Sequence, residues 1–252
     1  MSEQPIFFAS GTDPNMLAAF TKAQSTFKYF WRECSWEYRR IVPALDLACV
    51  KIAFSQSLPG RDEPVVEYIW MNEIDFNGDE ISGVIVNQPN ELTNIQNGDY
   101  VTVPLDRLCD WLFTTEGKSY GGYTIQYMRS LMEAADRSEH DDAWGIDFGD
   151  HHEIFVARGQ KDDPNVLIEH PMSINMREKF VEFIQQYPNE LTSTDDFGAN
   201  LLHRETIAGN KTSVEAMVTA GADLQATTRS GKTALDYAKQ LNWEHIIPLL
   251  EK

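Results

Sequence analysis

Between Thr21 and Tyr38 the apolar side chains fall at three- and four-residue steps, with Phe27, Phe30, Trp31 and Cys34 on one side. That spacing predicts a helix with an aromatic face. The period then changes. Leu45 to Phe54, Val65 to Met71 and Ile81 to Asn87 are apolar runs that read as strands, the last ending at Asn87-Gln88-Pro89-Asn90. Tyr100 to Val103 makes a further strand after the turn signal Asn97-Gly98-Asp99. Leu105 to Phe113 has a mixed pattern, and Gly121-Gly122 precedes a helix through Ile125, Met128 and Leu131. Strands clustered between helices without regular alternation predict an antiparallel α+β domain.

Near the C-terminus the pattern repeats itself. Gly198-Ala199-Asn200-Leu201-Leu202-His203 aligns with Gly231-Lys232-Thr233-Ala234-Leu235-Asp236 at a spacing of 33 residues, as Val214 does with Ile247 and Met217 with Leu250. With Ala220-Gly221-Ala222-Asp223 between the copies, this resembles the ankyrin repeat. The first helix is expected over Asn200 to Ala208, closed by Gly209. The second is expected to run from a Ser213 N-cap to Ala220. Pro248 fits the last helix only within its first turn. One further shift places Val181 and Ile184 under Val214 and Met217, making about two and a half repeats. Such a stack needs a cap, expected from docking of Ile168 to Tyr187 on the N-terminal part. The expected domains are therefore 1–155, an antiparallel-sheet α+β domain ending in an acidic loop, and 156–252, a short ankyrin-like helical stack.

Composition narrows the function. The 252 residues carry 42% hydrophobic and 24% charged side chains, as a globular protein does. The formal net charge of −18 argues against sequence-independent nucleic-acid binding, which needs basic surface. No apolar run is long enough to span a bilayer and the first residues are not a secretory signal, so neither a nucleic-acid nor a membrane partner is expected. The three cysteines, Cys34, Cys49 and Cys109, are widely spaced. They read as small hydrophobes in a reducing cytoplasm.

Glu67-Tyr68-Ile69-Trp70, Gly83 to Pro89, Gly98-Asp99-Tyr100-Val101, Asp110-Trp111 and Gly121-Gly122-Tyr123-Thr124 form an ordered series. It resembles the YegJ-like bacterial domain of unknown function. Phe30-Trp31-Arg32-Glu33, Trp36 to Ile41 and Trp144 to Asp150 are similar to a longer subgroup ending in ankyrin-like repeats. The resemblance implies a bacterial origin and an association with toxin genes, and it brings no activity.

Glu133 to Glu153 holds eight acidic residues and one basic residue, Arg137. His140, Asp141, Asp142, Asp147, Asp150, His151, His152 and Glu153 are metal-ligating types, but their spacing matches no familiar metal motif. A solvated or partner-facing loop without metal is expected, and no cofactor. Neither a catalytic set nor a nucleotide loop is visible. Ankyrin-type stacks grip partners through turn tips and inner helices. The expected partner-binding residues are Asp195, Asp196, Phe197, Thr228, Arg229 and Ser230, with Asp141 and Asp142 steering a basic protein partner. His203 is expected to fix the repeat turn through hydrogen bonds. Three readings follow: an immunity protein that neutralises a secreted bacterial toxin, which is preferred, an adaptor for an endogenous protein, and an enzyme with its site in the N-terminal domain.

Overall fold

The structure, a computed structural model, describes residues 13–251. Two compact units divide the chain. The first holds the chain up to Phe27, Val42–Asp75 and Ile81–Val156, and the second holds Lys28–Ile41, Phe76–Glu80 and Ala157–Lys252. Helix α1 (Pro14–Glu37) thus contributes its first half to one unit and its second half to the other.

The first unit is built on a six-stranded antiparallel sheet. Its strands are β1 (Leu47–Gln56), β2 (Val65–Phe76), β3 (Glu80–Ile85), β4 (Tyr100–Pro104), β5 (Leu108–Thr115) and β6 (Lys118–Gly121), in the order β4-β3-β2-β1-β5-β6. Helices α2 (Tyr123–Ser130) and α3 (Ala134–Trp144) follow. Every residue of β5 is buried. On one face, Trp111 Nε1 donates to the Ala23 carbonyl of α1 at 3.0 Å, and Gln24 Nε2 donates to the Leu108 carbonyl at 2.9 Å. On the other, Leu112 packs with Cys49, Ile125 and Phe148. A strand covered on both faces loses the two-residue alternation, which is why Leu105 to Phe113 reads as mixed.

The YegJ-like motif residues meet at the start of α2. Its N-cap residue is Gly122, which has no side chain to offer, and the fully buried Asp110 on β5 caps the helix instead. Asp110 Oδ1 accepts the Tyr123 and Trp111 N–H groups at 2.9 Å, and Oδ2 accepts the Thr124 N–H at 2.8 Å and its hydroxyl at 2.5 Å. Lys51, opposite Asp110 in the β1–β5 register, donates to Thr124 Oγ1 at 2.8 Å, and its ammonium lies 4.6 Å from the Trp70 ring centroid. Burial pushes the Asp110 carboxyl up, against the pull of Lys51 and the Thr124 donors. Gly121 (φ +76°) admits no side chain, because a Cβ there would sit 2.4 Å from the Trp111 ring. Elsewhere, Glu67 accepts the N–H groups of Asn90, Glu91 and Leu92, and Asn87 Oδ1 accepts the Trp70 N–H. The motif is a set of buried and backbone-binding groups that fix loops to the sheet.

The acidic segment corrects the expectation of a loop over His140 to Glu153. Through Trp144 it is the helix α3, which buries none of its residues. Arg129 fastens it with a two-pronged bond to Asp141 (2.9 and 2.6 Å), and the rings of His140, Trp144 and Phe148 gather at its end.

The second unit contains three helix pairs: α4 (Pro171–Asn175) with α5 (Arg177–Gln186), α6 (Leu201–Ile207) with α7 (Lys211–Thr219), and α8 (Ala234–Gln240) with α9 (Ile247–Leu250). First helix packs on first helix, α6 on α8, and second on second, α5 on α7 and α7 on α9. This is how ankyrin-type repeats stack. Helix α4 lies upstream of α5 and packs on α7 and α5. Pro248 lies in the first turn of α9. Helix α7 starts two residues before the expected Ser213 cap: Asn210 is the N-cap, and Ser213 is buried within the helix.

Of the cap expected through Ile168 to Tyr187, His170 alone among these residues is seen to reach α1 by a hydrogen bond and ring stacking. Ile168, Ile174, Phe183 and Tyr187 are exposed, and the second half of α1 fastens the stack. Arg32 donates to the carbonyls of Val166 and Leu167. Trp36 Nε1 donates to Asn210 Oδ1 at 2.9 Å, and Asn210 Nδ2 donates to Glu205 at 2.8 Å. Arg39 reaches the buried Glu205 carboxylate at 2.6 Å. His170 stacks on Trp36 at 5.7 Å and bonds Glu33 at 3.1 Å. The second half of α1, with Arg39 just beyond it, thus holds α6, the start of α7 and the segment leading into α4.

Just before α9, burial is the main force that depresses His245 to about 4, with Arg32, Lys28 and Lys211 adding to it against the pull of the Gly209 carbonyl. An imidazole of depressed pKa takes its proton first in the unfolded chain. Its contribution is therefore full above the ordinary value of 6.5 and is lost as pH falls toward about 4. Discounted for partial exposure, ~1–2 kcal/mol of unfolding free energy is expected to disappear across that window. Urea titrations at stepped pH check this: His245→Gln flattens that part of the profile, and an unaltered slope in the variant refutes it.

Candidate protein-binding surface

The tips of the stack precede α6 and α8, and capping side chains set their geometry. Asn200 and His203 form a reciprocal capping box at the start of α6, and Thr233 and Asp236 form another at α8. His203 Nε2 also donates to the Ala226 carbonyl at 3.1 Å, so the ring ties one repeat to the loop entering the next. Burial holds His203 below the usual histidine value. The two tips are knitted together by a bond from the Arg229 N–H to the Phe197 carbonyl at 2.9 Å.

Four of the eight residues expected to bind a partner hold the fold. Asp195 accepts the N–H groups of Phe197 and Ala199 and pairs with Arg204 at 3.1 Å. Thr228 is buried beside Ser230 Oγ and Tyr237 OH. Ser230 donates to Asp79 at 3.0 Å. Asp141 is held by Arg129. The other four, Asp196, Phe197, Arg229 and Asp142, are exposed, Phe197 by 46%. Asp196, Phe197 and Arg229 sit on adjoining tips, whereas Asp142 belongs to the first unit.

Sequence reasoning missed the turn before β3. Asp79 also pairs with Lys232 and accepts from Tyr237 OH at 3.1 Å, and Gln240 donates to the Gly78 carbonyl at 2.7 Å. Against the penalty of burial, Lys232 and Ser230 hold the Asp79 carboxyl below its ordinary value. Asn77-Gly78 signals a tight hairpin. Nothing local says that the hairpin meets a tyrosine 158 residues away.

Among the described residues, the hollows of the second unit include these two. A groove of about 550 Å³ runs between α5 and α7 over Val181, Ile184, Val218 and Leu249. A hollow of about 420 Å³ is lined by Arg32, Glu33, Arg40 and His170. Burial raises Glu33, but the His170 hydrogen bond and the charges of Arg40 and Arg32 outweigh it and keep the carboxyl low. The thiols of Cys49 and Cys109 are pushed up to about 12, chiefly by burial, so neither offers a thiolate at neutral pH. Among the described residues no helix is long and apolar enough to cross a membrane.

A YegJ-like α+β sheet unit joined to an ankyrin-type stack defines the class of this protein. Residues 13–148 match the family described as "Uncharacterized protein conserved in bacteria (DUF2314)", and the chain belongs to that family. It is 44% identical over 251 residues, 100% of this chain and 98% of the relative, to a Neisseria meningitidis serogroup B protein named "Putative ankyrin repeat protein NMB1133/NMB1171". It is 32% identical over 72 residues, 29% of this chain and 47% of the relative, to "Uncharacterized protein YegJ" of Escherichia coli. No solved structure matches the chain.

Proposed function

We propose that this protein binds another protein through the paired tips of its ankyrin-type stack, and that it acts as an immunity protein that captures and neutralises a basic antibacterial toxin. The observation that carries the reading is the exposed trio Asp196, Phe197 and Arg229 on two tips joined by a backbone hydrogen bond. An aromatic anchor between two charged groups, on turns fixed by capping boxes, is the composition of an interface hot spot. The name of the Neisseria relative fits a protein-binding role. The net charge of −18 fits a basic partner, and exposed Asp142 adds to the field that steers its approach.

The test is co-expression with the products of toxin genes adjacent to this gene, followed by binding kinetics. Rescue of growth and a stoichiometric complex are expected. Asp196→Lys with Asp142→Lys is expected to slow association, as raised salt does for the wild type. Phe197→Ala is expected to speed dissociation by roughly tenfold or more. Growth arrest that the chain never relieves removes the immunity role. Kinetics unchanged in both variants remove Asp196, Phe197 and Asp142 from the interface.

A further inference from the structure

We infer that Asp150, His151 and His152 form a binding site for a divalent transition-metal ion of the zinc type. The spacing of the ligand types from His140 to Glu153 matches no familiar metal motif and by itself predicts no metal. The fold brings the three together nonetheless. One ligand atom from each lies within 4.8 Å of the other two. His151 Nδ1 stands 3.9 Å from Asp150 Oδ1, too far for a hydrogen bond, and the two imidazole rings are 4.1 Å apart at their centroids. Zinc bonds of ~2.0–2.1 Å to nitrogen and oxygen put tetrahedral neighbours ~3.3 Å apart, so small side-chain rotations complete the set.

The loop is pinned to the sheet unit before it reaches the ligands. Gln126 donates to the Phe148 carbonyl at 2.8 Å, Arg129 donates to the Gly149 carbonyl at 3.2 Å, and Asp147 Oδ1 accepts the Gly149 N–H at 2.9 Å. Asp150 Oδ1 accepts the His152 N–H at 2.9 Å, and the Glu153 N–H closes the turn on the Asp150 carbonyl at 3.0 Å. Both imidazoles are thereby presented from a single fixed turn. Arg137 is the opposing charge. Its guanidinium is already committed to the Arg129 and Met132 carbonyls, and the surrounding segment is strongly acidic. Two imidazoles and one carboxylate suit zinc better than calcium or magnesium, which prefer oxygen alone. Three protein ligands leave a fourth position for water.

Isothermal titration of the tag-free full chain with zinc sulfate, after chelator treatment, tests the site. One saturable site is expected, weakened at least about tenfold by His151→Ala or by His152→Ala, with circular dichroism unchanged because the turn is superficial. The absence of saturable binding, or an affinity that survives the double histidine variant, overturns the proposal.

Discussion

Asp110→Ala is expected to lower the unfolding free energy by ~3–5 kcal/mol, the range for removing one member of a buried charged network. The carboxylate binds two N–H groups at the start of α2, a third on its own strand and one hydroxyl, and it faces Lys51 across the sheet. Alanine leaves those donors without an acceptor in a place closed to water, and leaves the half-buried Lys51 ammonium without its counter-charge. Asp110→Asn keeps the volume but has one acceptor oxygen for the same donors and turns an amide N–H₂ on the rest, so about half the loss is expected to remain. Urea unfolding followed by tryptophan fluorescence reads the effect directly, since Trp111 is the next residue and is fully buried. A loss below ~1 kcal/mol for the alanine variant would mean that water or a rearranged Thr124 replaces the carboxylate.

The sequence pattern makes the element types legible wherever one face is buried and the other is wet. The β-branched runs of β1 to β3 and the aromatic face of α1 are read from period alone, and so is the 33-residue repeat. Three features escape for different physical reasons. The strand β5 is buried on both faces and has no period to read. Helix α3 packs no residue into a core, so its acidic composition resembles a loop, and its stability comes from Arg129 and an aromatic corner instead. The division of α1 between two units is invisible because a helix carries the same period throughout, whichever unit each half belongs to. Among the candidate contacts, exposure was legible at Asp196 and Phe197. Asp195, Thr228 and Ser230 look alike in sequence but serve the turns, because short polar side chains at a tip are equally suited to capping it.

The second large effect is expected at Trp36, whose ring and Nε1 serve the stack at once. Trp36→Ala removes the stacking on His170 and the bond to Asn210, and leaves a cavity beside the buried Glu205, for a loss of ~3–5 kcal/mol. Trp36→Phe keeps most of the volume and deletes the donor, so ~1 kcal/mol is expected there, the worth of one hydrogen bond. Arg39→Ala acts at the other end of the same chain of contacts and leaves the Glu205 carboxylate with Asn210 alone. Because Asn210 and Glu205 lie at the junction of α6 and α7, amide exchange should accelerate in those helices while the amides of β1 and β5 keep their protection. Loss of protection in the strands to the same degree would show that the damage is global and that Trp36 has no special hold on the repeats. If protection in α6 and α7 is retained, the second half of α1 is not what fastens the stack, and the tips at Phe197 and Arg229 owe their geometry to the helix pairs alone.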